Sequence, residues 1–153
     1  MAHDTLAWEI AETAHVIRRA YDRRAAELGV TRAQWRVLLK LARDSNLRQV
    51  ELADILDVEP ITLCRIIDRL EQAGLVERRR DPADRRAWLL ALTAKAGPII
   101  ESLHGLATEL GAEAFEGLNS VQIDTVRSGL ARIRDNLAAL STSPTKVPSR
   151  ASA

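Results

Sequence analysis

The stretch from about residue 47 to residue 93 leaves this chain little choice of fold. A short segment from Leu47 to Leu56, with Leu52, Ile55 and Leu56 apolar, has helical spacing. Asp57-Val58-Glu59 interrupts it, and Pro60 then suits the first turn of a new helix. That helix carries Leu63, Ile66, Ile67 and Leu70 on one face and stops at Gly74 in EQAGLV. The apolar period then drops to that of a strand: VERRR and AWLLALT read as two short strands around DPADRR, a hairpin composition. Two helices joined by a three-residue turn, with a hairpin directly behind them, predict a winged helix-turn-helix.

Long helices flank this centre. Leu6, Ile10, Ala14, Ile17, Tyr21 and Leu28 recur at helical spacing until Gly29 ends the first helix. Thr31 with Gln34 is a capping box for a second helix, whose core face is Trp35, Leu38, Leu39 and Ala42. Thr93 is placed to cap a fifth helix running to about Gly117, which Pro98 should bend. Asn119 with Gln122 caps the last helix, where Ile123, Val126, Leu130, Ile133, Leu137 and Leu140 step alternately by three and four. The expected fold is therefore mainly α with a small β-hairpin wing, a winged helix-turn-helix between N- and C-terminal helical dimerisation arms. Residues 1–29 form the first arm, 30–93 the winged domain, 94–141 the second arm and 142–153 a Ser/Pro-rich disordered tail. The seam on the last helix and the apolar first helix exceed what so small a domain can cover, so a homodimer is expected. Leu6, Ile10, Ile17, Ile123, Val126, Leu130, Ile133 and Leu137 are its contact residues.

Charge gives the centre a function. The net charge of +1 argues at first against nucleic acid, but it is an average. Residues 30–93 carry 12 basic and 10 acidic side chains, while 1–29 and 94–141 are each slightly acidic. Within the centre, Arg78, Arg79, Arg80, Arg85 and Arg86 crowd a Pro-containing turn. The face of the fourth helix opposite its apolar stripe presents Ile61, Thr62, Cys64, Arg65, Asp68 and Arg69. An exposed Ile suits a thymine methyl, and Thr62 and Arg65 can donate to base edges or phosphates, with Arg65 the first choice as base reader. In the wing, Arg78, Arg80, Asp84, Arg85 and Arg86 are the DNA-contact set. A hairpin tip can enter the minor groove, where Arg85 or Arg86 would sit in negative potential. Asp84 is expected to hold the Arg86 guanidinium by charge-assisted hydrogen bonds. Arg32 and Arg36 are weaker candidates for DNA-backbone contacts.

LGVTRAQWRVLLKLA followed by QVELADILDVEPITLCRIIDRLEQAGLVERRRDPADRRAWLLALT resembles the winged helix-turn-helix of the MarR family of bacterial transcription regulators. The similarity extends in pattern to both arms, about residues 6–141. It implies that Asp84 and Arg86 occupy the family's wing Asp and minor-groove Arg positions, and Thr62 and Arg65 its recognition-helix contact positions. It also implies a homodimer on a pseudo-palindromic operator, a repressor more often than an activator. Two departures stand out. Arg48 replaces the Thr that often caps the third helix, so Asn46 or water must cap it, and Pro60 precedes Ile61 where a Pro often begins the fourth helix.

Family members commonly respond to small phenolic or aromatic carboxylates. Here Trp8, His15, Trp35 and Arg36 are the groups that would stack on such a ring and neutralise its charge. Trp88 on the wing strand is expected to pack rather than stack on bases. Cys64 offers a second reading, a thiol-redox switch, and winged helices also serve as protein-interaction modules without DNA. One Cys and three His rule out a zinc cage, and no nucleophile–base pair or phosphate loop suggests an enzyme or a cofactor. No apolar run reaches the roughly 18 residues of a membrane span. The amino end has no leader pattern, so a soluble cytoplasmic protein is expected.

Overall fold

Thr31 opens the helix around which the winged domain assembles. In the computed structural model, which describes residues 2–142, its hydroxyl accepts from the Gln34 backbone N–H, and Gln34 Oε1 accepts from the Thr31 N–H at 2.9 Å. The order is α1 (Ala2–Glu27), α2 (Arg32–Arg43), β1 (Leu47–Arg48), α3 (Gln49–Leu56), α4 (Pro60–Gln72), β2 (Val76–Arg80), β3 (Trp88–Leu92), α5 (Gly97–Ala114) and α6 (Ser120–Thr142). A 3-10 turn, Ala94–Ala96, precedes α5. The chain divides into two units, Met1–Ala114 and Phe115 onward. The expected disordered tail lies outside the described residues, apart from its first residue, Thr142, which ends α6.

In the first unit the core is built from Val37, Leu38 and Leu41 of α2, Leu52 of α3, Leu63, Ile67 and Leu70 of α4, Leu90 of β3 and Leu103 of α5. The α2 core face is thus Val37, Leu38 and Leu41. Trp35 and Leu39 lie at its edge, and Ala42 is exposed. Tyr21 and Ala25 of α1 and Leu110 of α5 join the same core, so the arms at 1–29 and 94–114 share it with the winged domain. Asp57, left-handed at φ 51°, ends α3 and turns the chain into α4, where Pro60 occupies the first turn. Gly74, at φ 73°, ends α4, and the Leu75 N–H returns to the Leu70 carbonyl at 2.9 Å.

Three local expectations are corrected. Leu47–Arg48 is a strand, not the first turn of α3: it pairs antiparallel with β3, Leu47 opposite Leu90 and Arg48 opposite Leu89. The wing is therefore one edge of a three-stranded sheet in the order β1-β3-β2. The third helix is capped neither by Asn46, which is left-handed at φ 61°, nor by water alone. Glu51 reaches back to accept from the Arg48 N–H at 2.7 Å. The Thr93 hydroxyl donates to the Gly74 carbonyl at 2.5 Å instead of capping α5, and Lys95 Nζ donates to the Ala73 carbonyl at 2.8 Å. Both satisfy carbonyls at the exit of α4, where a lysine also complements the helix dipole.

The second unit contains α6. Asn119 and Gln122 cap it reciprocally, each bond 2.9 Å long, as the sequence predicts. Val126 and Ile133 of its seam are exposed, and Ile123 and Leu130 are half-buried.

A polar lock joins α1 to α2. Asp22 accepts from Arg32 Nε at 2.6 Å and from Trp35 Nε1 at 3.0 Å, and Tyr21 meets Trp35 edge-on at 4.7 Å. The Arg32 guanidinium holds the Asp22 carboxyl below its ordinary range, with the Trp35 N–H adding to the effect against burial. A carboxylate with a lowered folded-state pKa stabilises fully above its unfolded value, and that contribution disappears as pH falls through the lowered value. Thermal melting followed down to about pH 2 should therefore show a shallower acid decline in Asp22→Asn than in the natural chain. Parallel profiles would show that the lock contributes nothing to acid sensitivity.

Candidate nucleic-acid interface

Burial splits α4 into two sides. Leu63, Ile67 and Leu70 are buried and Ile66 is half-buried, so the helix is fixed in rotation. Ile61, Thr62, Arg65, Asp68 and Arg69 are left exposed, Ile61 at 65% of its surface although it is apolar. Cys64 departs from the expected open face. It is half-buried, with Sγ 3.9 Å from both Asp68 Oδ2 and Arg78 Nη2.

Arg78 is the reason. From β2 its guanidinium donates to Asp68 Oδ1 at 2.6 Å and also pairs with Glu71, while its backbone N–H donates to Glu71 Oε1 at 3.3 Å. Burial disfavours its charge, but the Asp68 hydrogen bond and the field of Glu71 outweigh this and raise its pKa. Arg78 and Asp68, both expected to face DNA, instead bolt the base of the wing to the recognition helix. A residue in β2 whose side chain points back over α4 meets carboxylates there before it can meet solvent.

The other wing arginines divide the same way. Arg79 donates to Glu77 at 2.7 Å. Arg80 stacks its guanidinium over the Trp88 ring, 3.9 Å from the centroid and directly across the strand pair, and donates to the Arg85 carbonyl at 2.8 Å. Trp88 is thus a platform for Arg80, in keeping with packing. Arg85 and Arg86 are exposed at the tip. Among the described residues, no hydrogen bond or ion pair engages the guanidinium groups of Arg65, Arg69, Arg85 or Arg86.

Asp84 acts on the backbone rather than on the Arg86 guanidinium. Its Oδ1 accepts from the Arg86 N–H at 3.0 Å, and its carbonyl accepts from the Ala87 N–H at 2.9 Å. A carboxylate two residues ahead reaches a backbone N–H more easily than the end of a long side chain, which is the geometry of an Asx turn. Asp81 repeats the pattern, Oδ1 accepting from the Ala83 N–H at 2.8 Å. Its Oδ2 takes Arg48 Nε at 3.0 Å and Nη2 at 2.7 Å. The Ala83 N–H and the Arg48 guanidinium hold the Asp81 carboxyl below its ordinary range. In the sequence Asp81 stands as one acid in an arginine run. Its spacing ahead of Pro82 and Ala83 was the signal for an Asx turn.

Arg32 and Arg36 are committed to protein acceptors, Arg32 to Asp22 and Arg36 Nη2 to the Leu56 carbonyl at 2.7 Å. The four effector candidates are not assembled by one chain. Trp35 and Arg36 line a cleft of about 350 Å³ with Leu39, Lys40, Arg43, Leu56 and His104, a residue that sequence reasoning missed. Trp8 is 78% exposed, in the N-terminal half of α1, and His15 is exposed at the middle of that helix. At 1.5 Å per residue, Trp8 stands roughly 20 Å along the axis from Tyr21, the residue that meets Trp35.

A buried-face recognition helix with a hairpin bolted to it defines the winged helix-turn-helix class of DNA-binding regulators. The family model for MarR matches residues 30–88. A cysteine-to-serine mutant of MarR from E. coli superposes with a TM-score of 0.76 at 29% identity, over 84% of this chain and 95% of that one. Residues 30–88 thus match the domain of the MarR family, whose members are transcription regulators. The same E. coli mutant complexed with operator DNA matches at 29% identity and a TM-score of 0.73, over 84% of this chain and 93% of that one. A MarR transcriptional regulator from Methanosarcina mazei Go1 shares the fold, with a TM-score of 0.79 at 23% identity over 90% of this chain and 99% of that one. Among the described residues, no helix is long and apolar enough to cross a membrane, and no cluster of three or more His, Cys, Asp or Glu is placed to hold a metal.

Proposed function

We propose that this protein is a cytoplasmic, homodimeric, ligand-responsive repressor that reads a pseudo-palindromic operator. Arg65 and Arg69 on α4 would address the major groove with Ile61 and Thr62, and Arg85 and Arg86 the minor groove. The observation that carries this is the division of the arginines. Arg78, Arg79 and Arg80 are engaged by the protein, and the uncommitted guanidinium groups lie where a recognition helix and a wing tip meet DNA. The E. coli relative in complex with operator DNA supports duplex DNA as the partner.

The exposed apolar residues Leu6 and Ile17 on α1, and Val126 and Ile133 on α6, support the second copy. Two recognition helices about 34 Å apart would then read successive turns of DNA. For the effector, the cleft beside Trp35 offers an indole edge, His104 and the cations Arg36, Lys40 and Arg43, a lining suited to a small aromatic or phenolic carboxylate. Trp8 and His15 take part in it only if the partner copy supplies them.

The test is selection of duplexes of about 30 base pairs from a randomised pool, long enough for two half-sites one turn apart. A palindromic consensus, with binding that weakens steeply as salt rises, is the expected outcome. No enrichment above the starting pool rejects the reading.

A further inference from the structure

Asp81 is the one buried polar or charged residue among those described, at 6% exposure, and the hairpin tip that follows it, residues 82–87, is exposed or half-buried. A buried carboxylate is costly unless it is paired and hydrogen-bonded, and here both oxygens are used. One oxygen fixes the tip backbone through Ala83. The other receives two donors from Arg48, which lies at the junction of β1 and α3. The Asp81 N–H also closes the tip onto the Ala87 carbonyl at 3.2 Å. The side chain therefore ties three things together: the hairpin tip, the edge strand and the first turn of the helix-turn-helix.

Arg48 is unusual at its position. An N-cap residue ordinarily uses a short oxygen-bearing side chain to cap its own helix, and arginine has no acceptor with which to do so. Glu51 accepts from the Arg48 backbone N–H, while the Arg48 guanidinium is turned to the wing. Arg85 and Arg86 follow within five residues of Asp81, and the Arg86 N–H is held by Asp84 in the next Asx turn.

We propose that the Arg48–Asp81 pair is a positioning device that sets the reach of the wing tip, aiming Arg85 and Arg86 at the groove from a fixed distance to α3. Asp81 and Arg48 touch no DNA themselves. The proposal rests on the reading of the wing as a DNA contact.

Asp81→Asn keeps an acceptor for the Ala83 N–H but removes the charge that holds Arg48, and Arg48→Met cuts the pair from the other side. Both are compared with the natural chain by fluorescence anisotropy on a duplex recovered from the selection. Hydrogen exchange of the full chain is measured alongside. The expected result is at least fivefold weaker binding for either change, with faster amide exchange confined to residues 81–87. The loss should not multiply with that of Arg86→Ala, because a misplaced wing has already forfeited that contact, but it should multiply with that of Arg65→Ala. A purely structural role would spread the exchange change through the domain and multiply with both. Unchanged exchange at 81–87, binding within twofold of the natural chain, or full multiplication with Arg86→Ala overturns the proposal. Arg86→Ala binding as tightly as the natural chain overturns the wing reading itself and takes the proposal with it, an outcome recognised from that single variant.

Discussion

Replacing Ile133 by aspartate should leave a folded monomer that no longer holds its operator. Ile133 lies in the alternating seam of α6 and is exposed in the single chain, so the protomer has little to lose from the change. In a dimer seam the same carboxylate would be buried, and an unpaired buried charge costs several kcal/mol. A regulator that binds through two half-sites loses far more than half its affinity when the link between them is cut, because the second contact no longer benefits from a high effective concentration. Light scattering should report the monomer mass, with an unchanged circular dichroism spectrum and no operator shift. An intact dimer in Ile133→Asp, or a monomer that binds as well as before, would remove the arms from the account.

The second large effect belongs to Arg65 and Arg86 together. A bidentate arginine contact to a base edge discriminates by about 1–3 kcal/mol, and each contact occurs twice in a dimer. Arg65→Ala alone should therefore weaken operator binding by about 2–6 kcal/mol, with specificity relaxed at the base it reads. Arg86→Ala should weaken binding across sequences more evenly, since the minor groove carries a poorer code. Combining the two removes four cations from the dimer. The slope of log affinity against log salt should flatten by roughly 3 to 4, at about 0.9 per phosphate neutralised. A slope unchanged in the double variant would mean that these guanidinium groups do not meet phosphate or groove.

Such steep dependence on four guanidinium groups follows from how the other cations are used. With a net charge of +1, the chain has little long-range field to attract DNA. Arg32, Arg36, Arg48, Arg78 and Arg79 are all spent on protein acceptors. On the proposed reading, affinity would depend on a few groups held in place, and Asp81 and Asp84 hold the wing-tip backbone that carries two of them.

Where contacts are close in the chain, the residues announced the structure. The capping boxes at Thr31 and Asn119, Pro60 at the head of α4, the stop at Gly74 and the strands VERRR and WLLAL are all set by neighbours a few residues away. The apolar stripe of α4 also announced which of its sides would face outward. What spacing could not announce was the partner of a long charged side chain. Arg78 finds Asp68 ten residues back, and Arg48 finds Asp81 thirty-three residues on. In the sequence Arg78 reads as a DNA contact and Arg48 as a departure at a capping position, because an arginine's reach covers many acceptors and only the packed fold selects among them. The sheet's third strand was hidden for the same reason: two residues carry no period of their own, and Leu47–Arg48 becomes a strand only because β3 lies beside it. The sequence by itself determined the winged helix-turn-helix and the side of α4 that faces outward, through local hydrogen bonds and apolar periodicity. Only the tertiary structure decided which arginines hold the protein together and which are left for another molecule, since ion pairing is settled by distances that the chain acquires when it folds.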